Sequence, residues 1–426
     1  MPNSHSKSNS EIHSDVLIIG AGPSGAIASA LLVKRGYSVT VLEREQFPRF
    51  SIGESLLPQC MEYIEEAGML DAVRTAAFQH KNGALFQYQG TYGGFDFGEQ
   101  FSSGFNETYQ VQRADFDKLL ADEAARMGAN ILYRHETVSV DLSGPECQVN
   151  CRNTESGEEK TFTARFLLDA SGFGRVLPRL LDLEQSSDFP VRSSLFTHIE
   201  DHISAEGYDR DKIIITVHPN DREVWFWLIP FSNGRCSIGV VARPEFYQNY
   251  SGADELDNLR AIVAEDPELS RLLADASWDT PASRITGYSC NVSQMCSNRF
   301  ALLGNAGEFL DPVFSSGVTI AMRSSSMAVA VLDKQLQGEV VDWQKDYAEP
   351  LAKGVNTFKT FVEAWYDKRF QDVIFHDSHS PDIRSMICSI LAGYAWDEGN
   401  PYVAQPERRL NTLWQYCQQA KVNSAT

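Results

Sequence analysis

Gly20-Ala21-Gly22-Pro23-Ser24-Gly25 constrains this chain more than any other stretch. It follows the apolar run Asp15-Val16-Leu17-Ile18-Ile19 and precedes Ala26-Ile27-Ala28-Ser29-Ala30-Leu31-Leu32, an order that predicts strand, tight turn and helix. Gly20 permits the turn, Gly22 lets the backbone approach a pyrophosphate, and Gly25 allows close helix–strand packing. Pro23 and Ser24 open a helix whose unpaired N–H groups and positive dipole end favour phosphate. A second strand, Ser38-Val39-Thr40-Val41-Leu42, ends at Glu43. An acid there, about 20 residues after the first glycine, can take ribose hydroxyls. Strand, turn, helix and acid together predict a dinucleotide site rather than an ordinary glycine-rich turn.

The chain has 426 residues, enough for one large core or two domains. Its 37 Lys and Arg against 57 Asp and Glu give a net charge of −20, which argues against nucleic-acid partners and anionic membranes. No apolar run reaches the roughly 18 residues of a membrane-spanning helix. Residues 1–14 are polar, which predicts a disordered N-terminus without a secretory leader and a cytoplasmic location. The eight cysteines are scattered without CxxC pairs. Cys147 and Cys151 lie close, but no further His or Cys pair completes a zinc site, so no metal is expected and the thiols are read as reduced.

Along the chain, residues 59–80 and Arg113–Gly128 have helical spacing. Asn130–Tyr133, Thr137–Val140 and Cys147–Asn150 read as a β-meander, and Phe162–Ala170 as a buried strand. Residues 190–300 alternate like antiparallel strands, Val318–Leu332 is helical, and beyond about residue 340 the pattern stays helical and aromatic. The expected fold is α/β (α+β). A dinucleotide-binding domain (15–80, 105–185 and 295–335) interleaves with an antiparallel β-sheet substrate domain (81–104 and 186–294). Helices over 336–426 cover the substrate side.

Three segments choose the flavin. Gln112-Arg113-Ala114-Asp115 opens a helix, where Arg113 can meet the pyrophosphate. Leu167-Leu168-Asp169-Ala170-Ser171-Gly172 ends a strand beside the first. Gly304-Asn305-Ala306-Gly307, with Asp311-Pro312 after it, brings small residues and helix N-terminal N–H groups. Together they resemble the FAD-binding fold of the aromatic hydroxylase superfamily across most of residues 15–330. That family has Asp where this chain has Asn305, which can bond a ribitol or ribose hydroxyl but carries no charge.

Trp225-Phe226-Trp227-Leu228-Ile229-Pro230 puts two indoles on one face of a strand. Alone, this is more often a sheet core than a site. In context it matches WxWxIP, a motif of flavin-dependent halogenases. Phe309-Leu310-Asp311-Pro312-Val313-Phe314-Ser315-Ser316-Gly317 matches a second, longer motif of the same family, FxxPxxSxG. Free N–H groups at a helix start favour an anion. The resemblance places a halide at Ser316 and Gly317, beside a flavin that also touches Pro312, Gly317 and Val318. Trp225, Trp227, Pro230, Phe309, Phe314 and Ser315 would screen the ring system and line the path to substrate. Tryptophan-type relatives carry Glu at the position of Phe314, so the chain resembles the phenol/pyrrole branch. Arg49–Pro58 resembles the family's strap near the flavin, which with Arg44 places Ser51, Ile52 and Gly53 at the cofactor. Lys81, in Lys81-Asn82-Gly83-Ala84-Leu85-Phe86, resembles the branch's active-site lysine.

The resemblance implies a cytoplasmic enzyme that takes reduced FAD (FADH2) from a separate flavin reductase. With O2 and chloride or bromide, hypohalous acid would form and pass to Lys81, which would polarise it or carry the halogen as a haloamine, to halogenate an aromatic small molecule, a pyrrole or phenol, free or on an acyl or peptidyl carrier protein. Arg408 with Arg409, or Lys368 with Arg369, are candidate contacts for such a carrier. An FAD/NADPH aromatic hydroxylase, an isoprenoid-type flavin reductase and a non-catalytic flavin-binding module are the alternatives.

Overall fold

The computed structural model of the chain describes residues 12–204, 208–376 and 380–424, so residues 1–11 of the expected disordered end lie outside the described residues. The first sheet is built around Ile12–Ile19. Across it run 130–132, 39–42, 12–19, 159–169, 147–153 and 135–141. The run Val16-Leu17-Ile18-Ile19 is buried because both faces are covered: Val16 and Ile18 share a core with Ile27 and Leu31 of the following helix, while Leu17 and Ile19 share one with Cys147 and Val149 of the antiparallel strands. Glu159–Asp169 is long enough to serve two partners on one side. Its first half pairs antiparallel with 147–153 and its last three residues pair parallel with Phe300–Leu302.

Two expectations need correction here. The first strand begins at Ile12, not at residue 15, because the long neighbouring strand offers backbone partners as far out as Phe162 opposite Ile12. Asn130–Leu132 is not part of the meander. It follows the helix Arg113–Met127 and returns parallel to Val39–Leu42, as a strand after a crossover helix does. The true meander is 135–141, 147–153 and 159–169.

The second sheet runs 283–286, 193–200, 235–242, 225–230, 212–217, 83–88 and 91–96. All its pairs are antiparallel except 212–217 with 83–88. Its period-two alternation divides two cores. Ile214, Phe226, Leu228 and Val240 pack under the helix Glu255–Val263, while Ile213, Ile215, Trp225, Trp227 and Ile229 face the large core shared with the first sheet.

The helix Pro23–Lys34 leaves the glycine turn and packs against Ser316–Leu336, where Ser325 Oγ donates to the Ser24 carbonyl at 2.8 Å. Helices 349–366, 369–374, 381–391 and 406–424 complete the C-terminal segment. Cys60, Cys147, Cys151, Cys236, Cys290, Cys296 and Cys388 are free thiols, and among the described residues no cluster of His, Cys, Asp or Glu could hold a metal. No described helix is long and apolar enough to cross a membrane.

Candidate functional site

A cavity of about 790 Å³ opens where the glycine turn, the strap and the second sheet meet. The turn forms as its glycines require. Gly20 sits at φ +94°, and a Cβ there would lie 2.6 Å from the Ala170 carbonyl oxygen; a Cβ on Gly25 would collide with the Gly20 carbonyl. Gly25 therefore serves packing and does not line the cavity, whereas Gly20, Gly22, Pro23 and Ser24 do. Glu43 is buried on the cavity wall. One of its carboxylate oxygens accepts the Ala21 N–H and the other the Glu45 N–H, both at 2.8 Å. The acid thus fixes the turn that presents the helix start.

Arg113 lines the same space at 8% exposure. Its guanidinium forks onto Asp117 at 2.6 and 2.9 Å, and Nη1 donates to the Ile52 carbonyl at 2.8 Å. Asp117 also accepts from Arg49 at 2.9 Å. One buried carboxylate therefore orders two guanidiniums and, through Arg113, the strap at Ser51, Ile52 and Gly53, all three on the cavity. Arg44 stands exposed at the rim. Sequence reasoning misses Asp117 as a site residue and reads Arg49 only as the start of the strap, although the i, i+4 spacing of Arg113 and Asp117 on a helix is a usable signal.

Asn305, Phe309, Pro312, Ser315, Gly317 and Val318 form the opposite wall. Asp311 Oδ1 accepts the Val313 N–H at 3.0 Å, Ser315 takes the left-handed region at φ 56°, and the helix starts at Ser316, two residues earlier than expected. The N–H groups of that first turn have no partner within the helix. A Cβ on Gly317 would lie 3.2 Å from the Phe309 ring, so glycine lets that ring close over the helix start. Ser316 is 2% exposed and sits beneath the rim, off the cavity surface.

Trp225, Trp227 and Ile229 reach the cavity together with Ile213 and Ile215 of the next strand. The indoles stand side by side, 6.1 Å apart and tilted by 50°, not stacked. Gly239 gives Trp227 room, since a Cβ there would strike its ring, and Trp227 Nε1 donates to Ser237 Oγ at 3.0 Å.

Lys81 ends a short strand, Gln79–Lys81, and is 1% exposed. Its ammonium donates to Ser55 Oγ at 2.7 Å and to the Leu56 carbonyl at 2.8 Å, 5.3 Å from the Phe97 ring centre. Burial pushes its pKa down from 10.5 to about 7. Lys81 does not line the cavity, but Ser55 does, so one hydroxyl stands between them. Sequence reasoning includes Ser55 and its neighbour Glu54 in the strap but not their partners: Ser55 meets Lys81, and Glu54 meets His198 Nε2 at 2.7 Å.

Several expected site residues lie elsewhere. Asp169 is buried away from the cavity, where its two oxygens accept the Ser171 and Leu177 N–H groups at 2.8 and 2.7 Å and cap the turn after its strand. Phe314 points into the helical core against Trp365 and Phe370, with ring centres at 6.0 and 5.5 Å. Pro230 falls on the opposite side of the strand from Trp225 and Trp227 by the alternation of side chains, and does not line the cavity. Arg369 is no free docking cation, because Asp367 and Glu407 already pair with it.

Residues 13–355 match the family model of the FAD binding domain. The chain is 28% identical over 335 residues to tryptophan 2-halogenase of Chondromyces crocatus, covering 76% of this chain and 62% of that protein, so it spans less than two thirds of that relative's length. It is 28% identical to the 1H-pyrrole-2-carbonyl-[peptidyl-carrier protein] chlorinase of Pseudomonas fluorescens, over 83% of each chain. Among solved structures, a flavoprotein/dehydrogenase from Cytophaga hutchinsonii superposes with a TM-score of 0.92 at 42% identity, over 96% of this chain and 100% of that one.

Proposed function

The chain belongs to the FAD binding domain family, and from that premise we propose that it halogenates an electron-rich ring, a pyrrole or a phenol, with hypohalous acid passed to Lys81. The observation that carries this reading is the joint between Lys81 and the cavity. A buried amine is held by Ser55, and Ser55 lines the same space as Trp225, Trp227 and Gly317.

The cavity fits FAD. A helix start whose N-cap, Gly22, has no Cβ meets a space of about 790 Å³ that also carries Glu43, Arg44, Arg113 and Asn305. In this reading the Gly20–Ser24 turn and Arg113 hold the pyrophosphate, Glu43 fixes the turn beside the ribose, and the strap with Asn305, Pro312 and Val318 borders the ring system. When bound in its reduced form, supplied by a separate reductase, FAD contributes the electrons that activate O2.

The protein's own groups do the rest. The N–H groups of Ser316 and Gly317 hold the halide, and Phe309 closes over them. Trp225, Trp227, Ile213 and Ile215 keep the passage apolar, which protects hypohalous acid from water-borne nucleophiles. Two of the three N–H bonds of the Lys81 ammonium are committed to Ser55 and Leu56, and the third polarises hypohalous acid. The ring carbon takes the halogen, and the displaced hydroxyl leaves as water with the ring proton. Phe314 has no carboxylate to offer and its ring packs against Trp365, so in this reading the activation falls to Lys81. The pyrrole–carrier chlorinase among the relatives supports a tethered pyrrole as the first substrate to try.

The test supplies purified protein with FAD, a flavin reductase, NADH and bromide or chloride, against pyrroles and phenols, free and carrier-tethered. Halogen-dependent mass shifts that vanish in Lys81→Met while FAD remains bound support the reading. Hydroxylated product without halide would point to a monooxygenase. Substrate oxidation without oxygen or halogen transfer would favour a dehydrogenase, the reading that the name of the Cytophaga relative supports.

A further inference from the structure

Beneath the cavity wall runs a buried chain of hydrogen bonds that the proposed chemistry leaves unused. Trp225 Nε1, at the back of an indole that faces the cavity, donates to the hydroxyl of Tyr366 at 3.0 Å. That hydroxyl donates to Asp311 Oδ2 at 2.8 Å. The other oxygen of Asp311 accepts the Val313 N–H at 3.0 Å and so shapes the turn that leads to Ser315 and Gly317. Tyr366 is the last residue of the helix Glu349–Tyr366, which belongs to the C-terminal segment. The Arg192 guanidinium lies over its ring, 3.8 Å from the centre, held there by Glu223 at 3.2 Å.

We infer that the Tyr366 hydroxyl is a positioning group that ties the tryptophan wall to the anion loop, so that the C-terminal segment sets the geometry of halide capture. The inference rests on the halogenation reading for its consequence, but the tie itself is geometric. Asp311 is 3% exposed, and a carboxylate so buried needs each donor it has. From the elements packed round it, Tyr366, the Val313 N–H, Arg192 and Tyr288 face it; burial outweighs the first three and pushes its pKa up to about 6. Loss of the Tyr366 hydroxyl leaves Trp225 Nε1 and Asp311 Oδ2 without their shared partner at one stroke. The loop then loses the carboxylate orientation that holds the Val313 N–H, and the first-turn amides at Ser316 and Gly317 no longer converge.

Tyr366→Phe tests this, because it keeps the ring under Arg192 and removes one oxygen. Protein labelled with ¹⁵N-glycine and ¹⁵N-tryptophan, loaded with oxidised FAD, is titrated with bromide while the Gly317 amide and the Trp225 indole N–H are followed. In the wild-type protein the Gly317 amide is expected to shift and saturate. In Tyr366→Phe the bromide dissociation constant is expected to rise about tenfold, the indole signal to move, and FAD affinity to stay within about twofold. Because both residues act through one bond, Tyr366→Phe combined with Asp311→Asn is expected to bind bromide no more weakly than the worse single variant. A bromide constant in Tyr366→Phe within twofold of wild type, multiplying effects in the double variant, or no bromide shift at Gly317 would overturn the inference. Bromide binding that responds to Tyr366→Phe in a protein that makes no halogenated product would overturn the halogenation reading alone.

Discussion

An ammonium group taken out of water gives up its proton readily, and this governs what Lys81 can do. With its pKa pushed down to about 7, Lys81 changes charge within the working range of most enzymes. If the ammonium polarises hypohalous acid, the halogenation rate falls above about pH 7, and that limb is missing from the pH–rate profile of any residual activity in Lys81→Met. Stability moves the other way. The folded-state pKa lies below the unfolded one, so the unfolded chain binds more protons between pH 7 and 10.5, and the fold gains stability as pH rises through that window. Melting curves of wild type and Lys81→Met at pH 7 and pH 9 check this: the wild-type protein gains on the variant at the higher pH. Glu43 is the other decisive single residue. Its two oxygens each accept a backbone N–H, and a glutamine side chain in its place would offer one acceptor where two are needed. Glu43→Gln is expected to weaken FAD binding about tenfold, the size of one charge-assisted hydrogen bond, as read by flavin fluorescence titration.

At the scale of the element, the legible parts were those whose local geometry one short stretch fixes by itself. The glycine turn is such a stretch, because only glycine tolerates φ +94° at residue 20 and the close carbonyl beside it. The loop at 309–317 is another, and so is the alternation that turns Trp225 and Trp227 to one side. Hidden features were those that need a partner distant in sequence. Nothing local says that Asn130–Leu132 joins the sheet edge rather than the strands after it. Ser55 acquires its place only when Lys81 arrives from another strand, and Asp117 only when Arg49 joins Arg113. Asp169 misled for the opposite reason. An acid at the end of a buried strand suits a ribose or a cap equally well, and here its two oxygens cap the following turn. Asp169→Ala therefore belongs with stability. It is expected to cost about 3 kcal/mol in denaturant unfolding, from one buried and one part-buried N–H group left without their charged acceptor.

At the scale of the whole molecule, the fold separates two tasks. The parallel part of the first sheet ends at the glycine turn and at Ser171, and presents one wall of the cavity. The second sheet places its indoles across the cavity, and the segment after residue 340 bonds one of them through Tyr366 and packs Trp365 and Phe370 against Phe314. Lys81 lies at the join of these parts, on a short strand paired with 108–110 and bonded to the strap. The central claim is that oxidised halogen formed at the cavity is spent at this lysine. Its most direct test is to follow the fate of oxidised bromine in Lys81→Met, supplied with FAD, a reductase, NADH, O2 and bromide, with a brominable aromatic substrate and a 1,3-diketone scavenger in the bulk. Bromination of the scavenger is expected to continue while bromination of the aromatic ring falls by about a hundredfold or more. Aromatic bromination by Lys81→Met at the wild-type rate would contradict the claim.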